Sequence, residues 1–412
     1  MIRSKHSYHC LIDARINSMQ VLFNRLYKGG SNLDGGTLLQ LRNLINRRNV
    51  SADTSNKFNA SIDYFELVTK CHIISATMHY FGMRSIEDTP TCNAFAIDGD
   101  PKQQWKRLQK AVREIVERFV FVQDFSEVVA KGSSKQEEAR NPHSERISHE
   151  HSYAKVQNPS ITTEAKRVLP ENIRRCADCP NPSRNVTSSS PDKVLDYACS
   201  VLSDGLLLLE LRDAIHEGDG ERDLRCWRFM LLYFSYSGHK KYALEALYLQ
   251  AAFSATANSR TAQELLQARF INVHGGPGRN IPTDLFMEHL NRTLKDHFHG
   301  LGANISENTI VQIAKSLKAL IDITNNFDHT LKLHPESLHH TTKSSIKDRN
   351  LILSQLATSR VFDYIPGRFH FAFKNIKSHV SDCVNVEKLV KWIKEHTRNM
   401  ANNIKLRNIL HA

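Results

Sequence analysis

Residues 275–292, GGPGRNIPTDLFMEHLNR, set three glycines and two prolines ahead of a segment carrying acid, amide, histidine and base. Glycine allows left-handed backbone and close approach to a ligand, so the run has the outline of a phosphate cradle. A nucleotide-triphosphate loop ends in Gly-Lys-Ser/Thr, so that lysine and hydroxyl reach phosphate and magnesium; here Arg279–Asn280–Ile281 follows, which excludes it. Pro282 and Asp284 stand where a helix begins. On that helix Asp284, Glu288, Asn291 and Lys295 recur at i, i+4, i+7 and i+11, one polar stripe opposite Met287, Leu290 and Leu294. Arg279, Asn291, Arg292 and Lys295 are its candidate nucleic-acid contacts, and Asp284 and Glu288 its candidate metal- or nucleic-acid-facing acids. A solvated stripe on a capped helix accounts for the same pattern.

Residues 216–223, HEGDGERD, crowd His216, Glu217, Asp219, Glu221 and Asp223 into one turn between two apolar stretches. Glu217, Asp219 and Glu221 are candidate oxygen ligands for magnesium or manganese. A calcium loop counted from Asp213 fails, because Leu224 stands at its twelfth position. The competing reading is a tight turn whose acids favour the positive start of the next helix. Cys176-Ala-Asp-Cys179 has metal-ligand spacing but supplies half of a structural zinc site. His334, His339 and His340 gather around Glu336 in a polar stretch. There is no Gly-x-Ser-x-Gly elbow and no His-Glu-x-x-His.

Elements that would position these groups read as helices. Apolar residues recur every three or four positions at Ile12, Ile16, Met19, Leu22, Phe23 and Leu26, before Gly29–Gly30. Further helices follow around Leu38–Ile45, from Ser61 to near Gly82, and from Trp105 to Phe119, the last with Lys106, Arg107, Lys110 and Arg113 opposite its apolar side. Three more span Leu195–Leu209, Asp223–Phe234 and Tyr242–Ala252, with short connections expected of antiparallel neighbours. Ile310–Phe327 and Val384–Met400 complete the set; a short strand is conceivable near Arg368–Phe373. Residues 131–190 are polar and poor in large aliphatics, composition that cannot offset ordering entropy, so they read as a disordered insertion. The expected division is an N-terminal helical block over 1–128, a linker over 129–190, a C-terminal helical block over 191–370 and a helical tail over 371–412.

At 412 residues and 41% hydrophobic content the chain can bury sizeable cores. Lysine and arginine number 55 against 43 acids, a formal charge of +12, which favours polyanionic partners. Its first residues, MIRSKHSYHC, lack an apolar signal core, and no apolar run approaches the ~20 residues of a spanning helix. An intracellular protein with reduced cysteines is expected, nuclear sooner than cytoplasmic, with DNA as partner and no membrane.

Asp204–Gly205, EGDGERDLRCWRFMLLYF (217–234), KYALEAL (241–247), GGPGRNIPTDLFMEHLNR (275–292), LGANISENTI (301–310) and LHPESLHHTTKSS (333–345) resemble a eukaryotic family, domain of unknown function 6589. The resemblance implies a mobile-element-associated, transposase-like protein, and a chain beginning downstream of the family's usual start. Transposase-like chemistry needs three carboxylates on a ribonuclease-H-like sheet holding two divalent ions, Mg or Mn. Candidate catalytic acids are Asp204, Asp219 and Glu288, with Glu245 a weaker choice. The fold expected is mainly α, an irregular multi-helical bundle forming the helical remainder of such an architecture. The function expected is nucleic-acid association without a complete catalytic site. Two alternatives stand beside it. A metal-dependent nuclease requires Asp204, Asp219 and Glu288 to converge. A noncatalytic nucleic-acid-binding or scaffold protein requires salt-sensitive binding alone.

Overall fold

The computed structural model describes residues 10–94, 100–120, 190–273, 275–299, 306–330 and 345–410. Cys176, Cys179, the polar stretch 131–189 and the His334–His340 group lie outside the described residues.

The molecule is mainly α. In chain order the helices are α1 (Cys10–Leu26), α2 (Leu38–Leu44), α3 (Phe58–Phe81), α4 (Pro101–Phe119), α5 (Lys193–Glu217), α6 (Gly220–Tyr236), α7 (Lys240–Ala251), α8 (Ser259–Gln267), α9 (Thr283–His299), α10 (Glu307–Thr330), α11 (Ile346–Thr358) and α12 (Val386–Leu410). The one sheet among the described residues is an antiparallel pair of two-residue strands, β1 (Phe270–Ile271) and β2 (Ile281–Pro282), with Phe270 opposite Pro282. No ribonuclease-H-like sheet is present among those residues.

Helix limits follow from side-chain chemistry. Asp192 starts α5 by accepting the Val194 and Leu195 N–H groups, and Asp100 with Pro101 starts α4. Gly82 and Gly218 end α3 and α5 with φ of 66° and 72°, the left-handed conformation that costs glycine nothing. Asp219 follows at once and accepts the Glu221 and Arg222 N–H groups, so a two-residue turn reverses the chain into α6.

α6 packs between α5 and α7, α3 packs on α5 and α11, and α1 crosses α5, α6 and α7. One continuous core results, drawn from both sides of the 121–189 stretch, with Phe23, Tyr64, Phe65, Tyr197, Trp227 and Phe234 at its centre. The closest approach is at Gly205, where an added Cβ would lie 2.2 Å from Thr69 Oγ1, so only glycine lets α3 and α5 meet.

Two expectations change. The apolar face of α4 is only half used: Ala111 and Phe119 are buried, whereas Trp105, Leu108 and Val112 face solvent. Residues 368–373 form no strand; a 3-10 turn over Phe371–Phe373 replaces it, because the Asp34 carboxylate takes the Phe371 and Ala372 N–H groups that a neighbouring strand would have used. Among the described residues no helix is long and apolar enough to cross a membrane.

Candidate functional site

The two acid-rich motifs meet. The glycine loop after β1 returns along the end of α5: Asn280 N and Nδ2 both donate to the His216 carbonyl, at 3.1 and 2.8 Å, and His216 Nδ1 lies 3.1 Å from the Gly278 carbonyl. Gly275, Gly276 and Gly278 hold φ of 68°, 86° and 68°, the geometry that folds the loop back. Asn280 thereby satisfies one of the carbonyls that a helix leaves unpaired at its C-terminus. That end of a helix carries partial negative charge, so the loop sits where an anion is disfavoured. The glycines serve as a cap on α5, and the phosphate-cradle reading has no electrostatic support.

Behind the loop, β1, β2 and the start of α9 are stapled by Thr283 N to the Arg269 carbonyl and Thr283 Oγ1 to the Ala268 carbonyl. Arg269 then reaches α6, its Nε and Nη2 lying 2.9 and 2.7 Å from the fully buried Asp223 Oδ2. Burial pushes the Asp223 carboxyl up, and Arg269 offsets only part of that cost. Asp223 Oδ1 and Trp227 Nε1 are both buried without a hydrogen-bond partner of ordinary geometry. Arg15 of α1 completes the junction. Burial and the neighbouring Arg212 lower its guanidinium, while Asp284 and Asp223 act against them. Asp223 of α6 and Asp284 at the head of α9 thus both lie near enough to Arg15 to favour its charge, while the ion pair of Asp223 is made with Arg269.

Asp204 has a different environment. Its carboxylate pairs with Arg25 of α1, and both side chains are almost wholly enclosed. Tyr233 of α6 donates to Asp204 Oδ1 at 2.7 Å, and burial beside that carboxylate holds the phenol well above its ordinary range. Arg25 also donates to Ser200 Oγ at 3.1 Å and to the Lys377 carbonyl at 2.7 Å. Burial opposes the Arg25 charge, but Asp204 and Tyr233 outweigh it, so the guanidinium is held above its usual value. The adjacent cavity, about 10 Å³ and bounded by Ser18, Leu208 and Met230, admits one water at most.

The candidate acids share no pocket. Asp204 precedes Glu217, the end of α5, by thirteen residues, about 20 Å along the axis at the ordinary helical rise. Asp219 is a half-buried helix cap, Glu217 and Glu221 are exposed beside it, and Glu288 is exposed on α9. Two-metal sites hold their ions only ~4 Å apart between shared carboxylates, so these residues do not fit one. Among the described residues no three His, Cys, Asp or Glu side chains are grouped to hold a metal. Arg279, Asn291, Arg292 and Lys295 are all exposed.

Sequence reasoning missed Arg15, Arg25 and Arg269 as the partners of these acids. Their distance along the chain, 179 residues between Arg25 and Asp204, leaves no local signal.

A family model described as a family of unknown function, DUF6589, matches residues 10–340. No curated protein and no solved structure matches the chain.

Proposed function

The chain belongs to DUF6589, a family of unknown function, and from its distribution of charge we propose a nucleic-acid-associated protein that binds DNA through its surface without metal-dependent cleavage. The observation that carries this reading is what the fold encloses. Asp34, Asp192, Asp204, Asp223 and Asp284 are buried, against Arg25 alone among the lysines and arginines described. Among the described residues folding thus withdraws five negative charges and one positive, which leaves the balance of charge that solvent reaches more basic. A surface of that sign attracts phosphate backbones whatever their sequence.

Two regions concentrate the charge. On α4, Lys102, Lys106, Arg107, Lys110 and Arg113 are all exposed and flank the solvent-facing Trp105. On the second, Arg279 stands beside the α5 cap, and Asn291, Arg292 and Lys295 follow along α9. Binding to DNA agrees with the mobile-element origin that the family resemblance implies, and with a nuclear location.

The nuclease alternative receives no support from the placement of Asp204, Asp219 and Glu288. The test is to incubate the full chain with labelled duplex DNA in chelator, in magnesium and in manganese. Binding without need of metal, no stronger in magnesium or manganese than in chelator and with the DNA intact in all three, is the expected result. Cleavage or strand transfer that appears with metal and disappears in Asp219→Asn or Glu288→Gln would overturn the proposal in favour of the nuclease.

A further inference from the structure

Residues 368–374, RFHFAFK, alternate in and out of the core. His370 and Phe373 are buried against Tyr197, with ring centroids 5.4 and 4.7 Å from it. Phe369 and Phe371 point the other way and are 49% and 75% exposed, with centroids 5.6 Å apart in an edge-to-face arrangement. Leu33, 92% exposed, immediately precedes Asp34, the group that clamps Phe371 N and Ala372 N, each at 3.0 Å. Lysines lie on and beside the segment. Lys28 donates to the Ala372 carbonyl at 2.9 Å and stands 4.7 Å above the Phe373 ring, Lys374 lies 6.0 Å from the Phe369 centroid, and Lys377 is exposed just beyond.

This backbone is fixed from several directions, so the two outward rings are held in place by the fold. Leaving large apolar groups clustered in water forgoes the stabilisation that burial would give, and such clusters mark binding surfaces. The charge around them decides the partner. Protein interfaces deplete lysine around their aromatic anchors, whereas sites for unpaired bases set aromatic faces in a basic surface, the rings stacking on bases and the ammonium groups meeting phosphates.

We infer that Phe369 and Phe371, with Leu33, Lys28 and Lys374, form a stacking site for single-stranded nucleic acid. The inference rests on the proposed nucleic-acid association and names a substrate class for one face of it. The site lies mostly beyond residue 340, where the family match ends. Duplex DNA keeps its bases stacked on one another and cannot offer them to the rings, so the site distinguishes unpaired from paired strands.

Fluorescence anisotropy of the full chain with an oligothymidylate, an oligouridylate and a mixed-sequence duplex of equal length tests this. The comparison is with Phe369→Ala/Phe371→Ala and with Phe369→Trp/Phe371→Trp, each checked for an unchanged melting transition. The alanine pair is expected to lose roughly tenfold or more in single-strand affinity, with the duplex affinity unchanged and the tryptophan pair retaining both. A preference for oligothymidylate or oligouridylate in the same assay identifies DNA or RNA as the strand. Equal single-strand binding by wild type and the alanine pair overturns the inference while leaving general association intact. So does a change of oligomeric state in the alanine pair with nucleic-acid affinity unaltered, since the rings would then form a protein interface. Failure of the wild type to bind any of the three probes defeats the broader reading as well.

Discussion

Asp204 is the candidate acid whose role the fold defines most sharply, and its substitution separates architecture from chemistry. In Asp204→Asn the shape of the side chain persists and Tyr233 keeps an acceptor, but Arg25 loses its counter-charge while its side chain remains 3% exposed. The Ser200 hydroxyl and the Lys377 carbonyl still accept from the guanidinium, yet neither carries charge. Removing one partner of an enclosed pair costs about 3–5 kcal/mol, because the survivor is left buried and unneutralised. At a urea slope near 3 kcal/mol/M that loss lowers the unfolding midpoint by about 1–1.7 M. The double variant Arg25→Met/Asp204→Asn removes both charges and fills the guanidinium volume with an apolar chain, and it should recover most of the loss. Equilibrium urea unfolding of the wild type, both single variants and the double closes the cycle. Asp204→Asn within about 1 kcal/mol of wild type, or a double variant no more stable than the singles, would refute the structural role.

The same packing sets three further outcomes. Gly205→Ala forces a Cβ to 2.2 Å from Thr69 Oγ1 and should cost about 1–3 kcal/mol, whereas Gly205→Ala/Thr69→Ala should be more stable than the sum of the two single effects; strict additivity in denaturant titrations would show that the helices slide apart freely. His72 is fully enclosed, its ring nitrogen Nδ1 held 2.9 Å from the Val68 carbonyl, and burial pulls its pKa from 6.5 down to about 4. The unfolded chain therefore takes up this proton first: the contribution is whole above pH 6.5, is lost progressively as pH falls towards 4, and amounts to about 3 kcal/mol. His72→Gln should flatten stability across that window, and parallel pH profiles for variant and wild type would contradict the assignment. Burial raises the Cys71 and Cys226 thiols to about 12, so both should resist alkylation in the native protein at pH 8 and react once it is unfolded; mass spectrometry that finds them labelled at the rate of a free thiol would be inconsistent with their burial.

Helices with one apolar face were legible in the chain. Met19, Leu22, Phe23 and Leu26 recur with the period of α1 and are all buried; the 216–223 motif does reverse the chain, but the turn is only Gly218 and Asp219, with Glu217 closing α5 and Glu221 and Asp223 in the first turn of α6. α8 was not among the expected helices: it is nine residues long, its apolar side is Ala262, Leu265 and Leu266 alone, and it buries no residue. α11 was likewise not expected, although its enclosed residues Ile352, Leu353 and Leu356 stand at helical spacing, i, i+1 and i+4. The alternation at 368–373 was visible, but what satisfies its backbone is a carboxylate 337 residues away at Asp34, which no local pattern announces. For the same reason the stripe Asp284, Glu288, Asn291 and Lys295 read as one surface, although the fold divides it: Asp284 is drawn inward towards Arg15, and the other three stay in solvent.

The claim that the folded molecule keeps its bases in solvent while enclosing five of its aspartates is tested most directly by the salt dependence of duplex DNA binding. If the five exposed bases Lys102, Lys106, Arg107, Lys110 and Arg113 of α4 each meet a phosphate, the logarithm of the association constant should fall against that of the salt concentration with a slope of about −4 to −5. Reversing Lys106 and Lys110 to glutamate should make the slope shallower by about 2. A slope near zero for the wild type, or the same slope after charge reversal together with an unchanged affinity, would contradict the account.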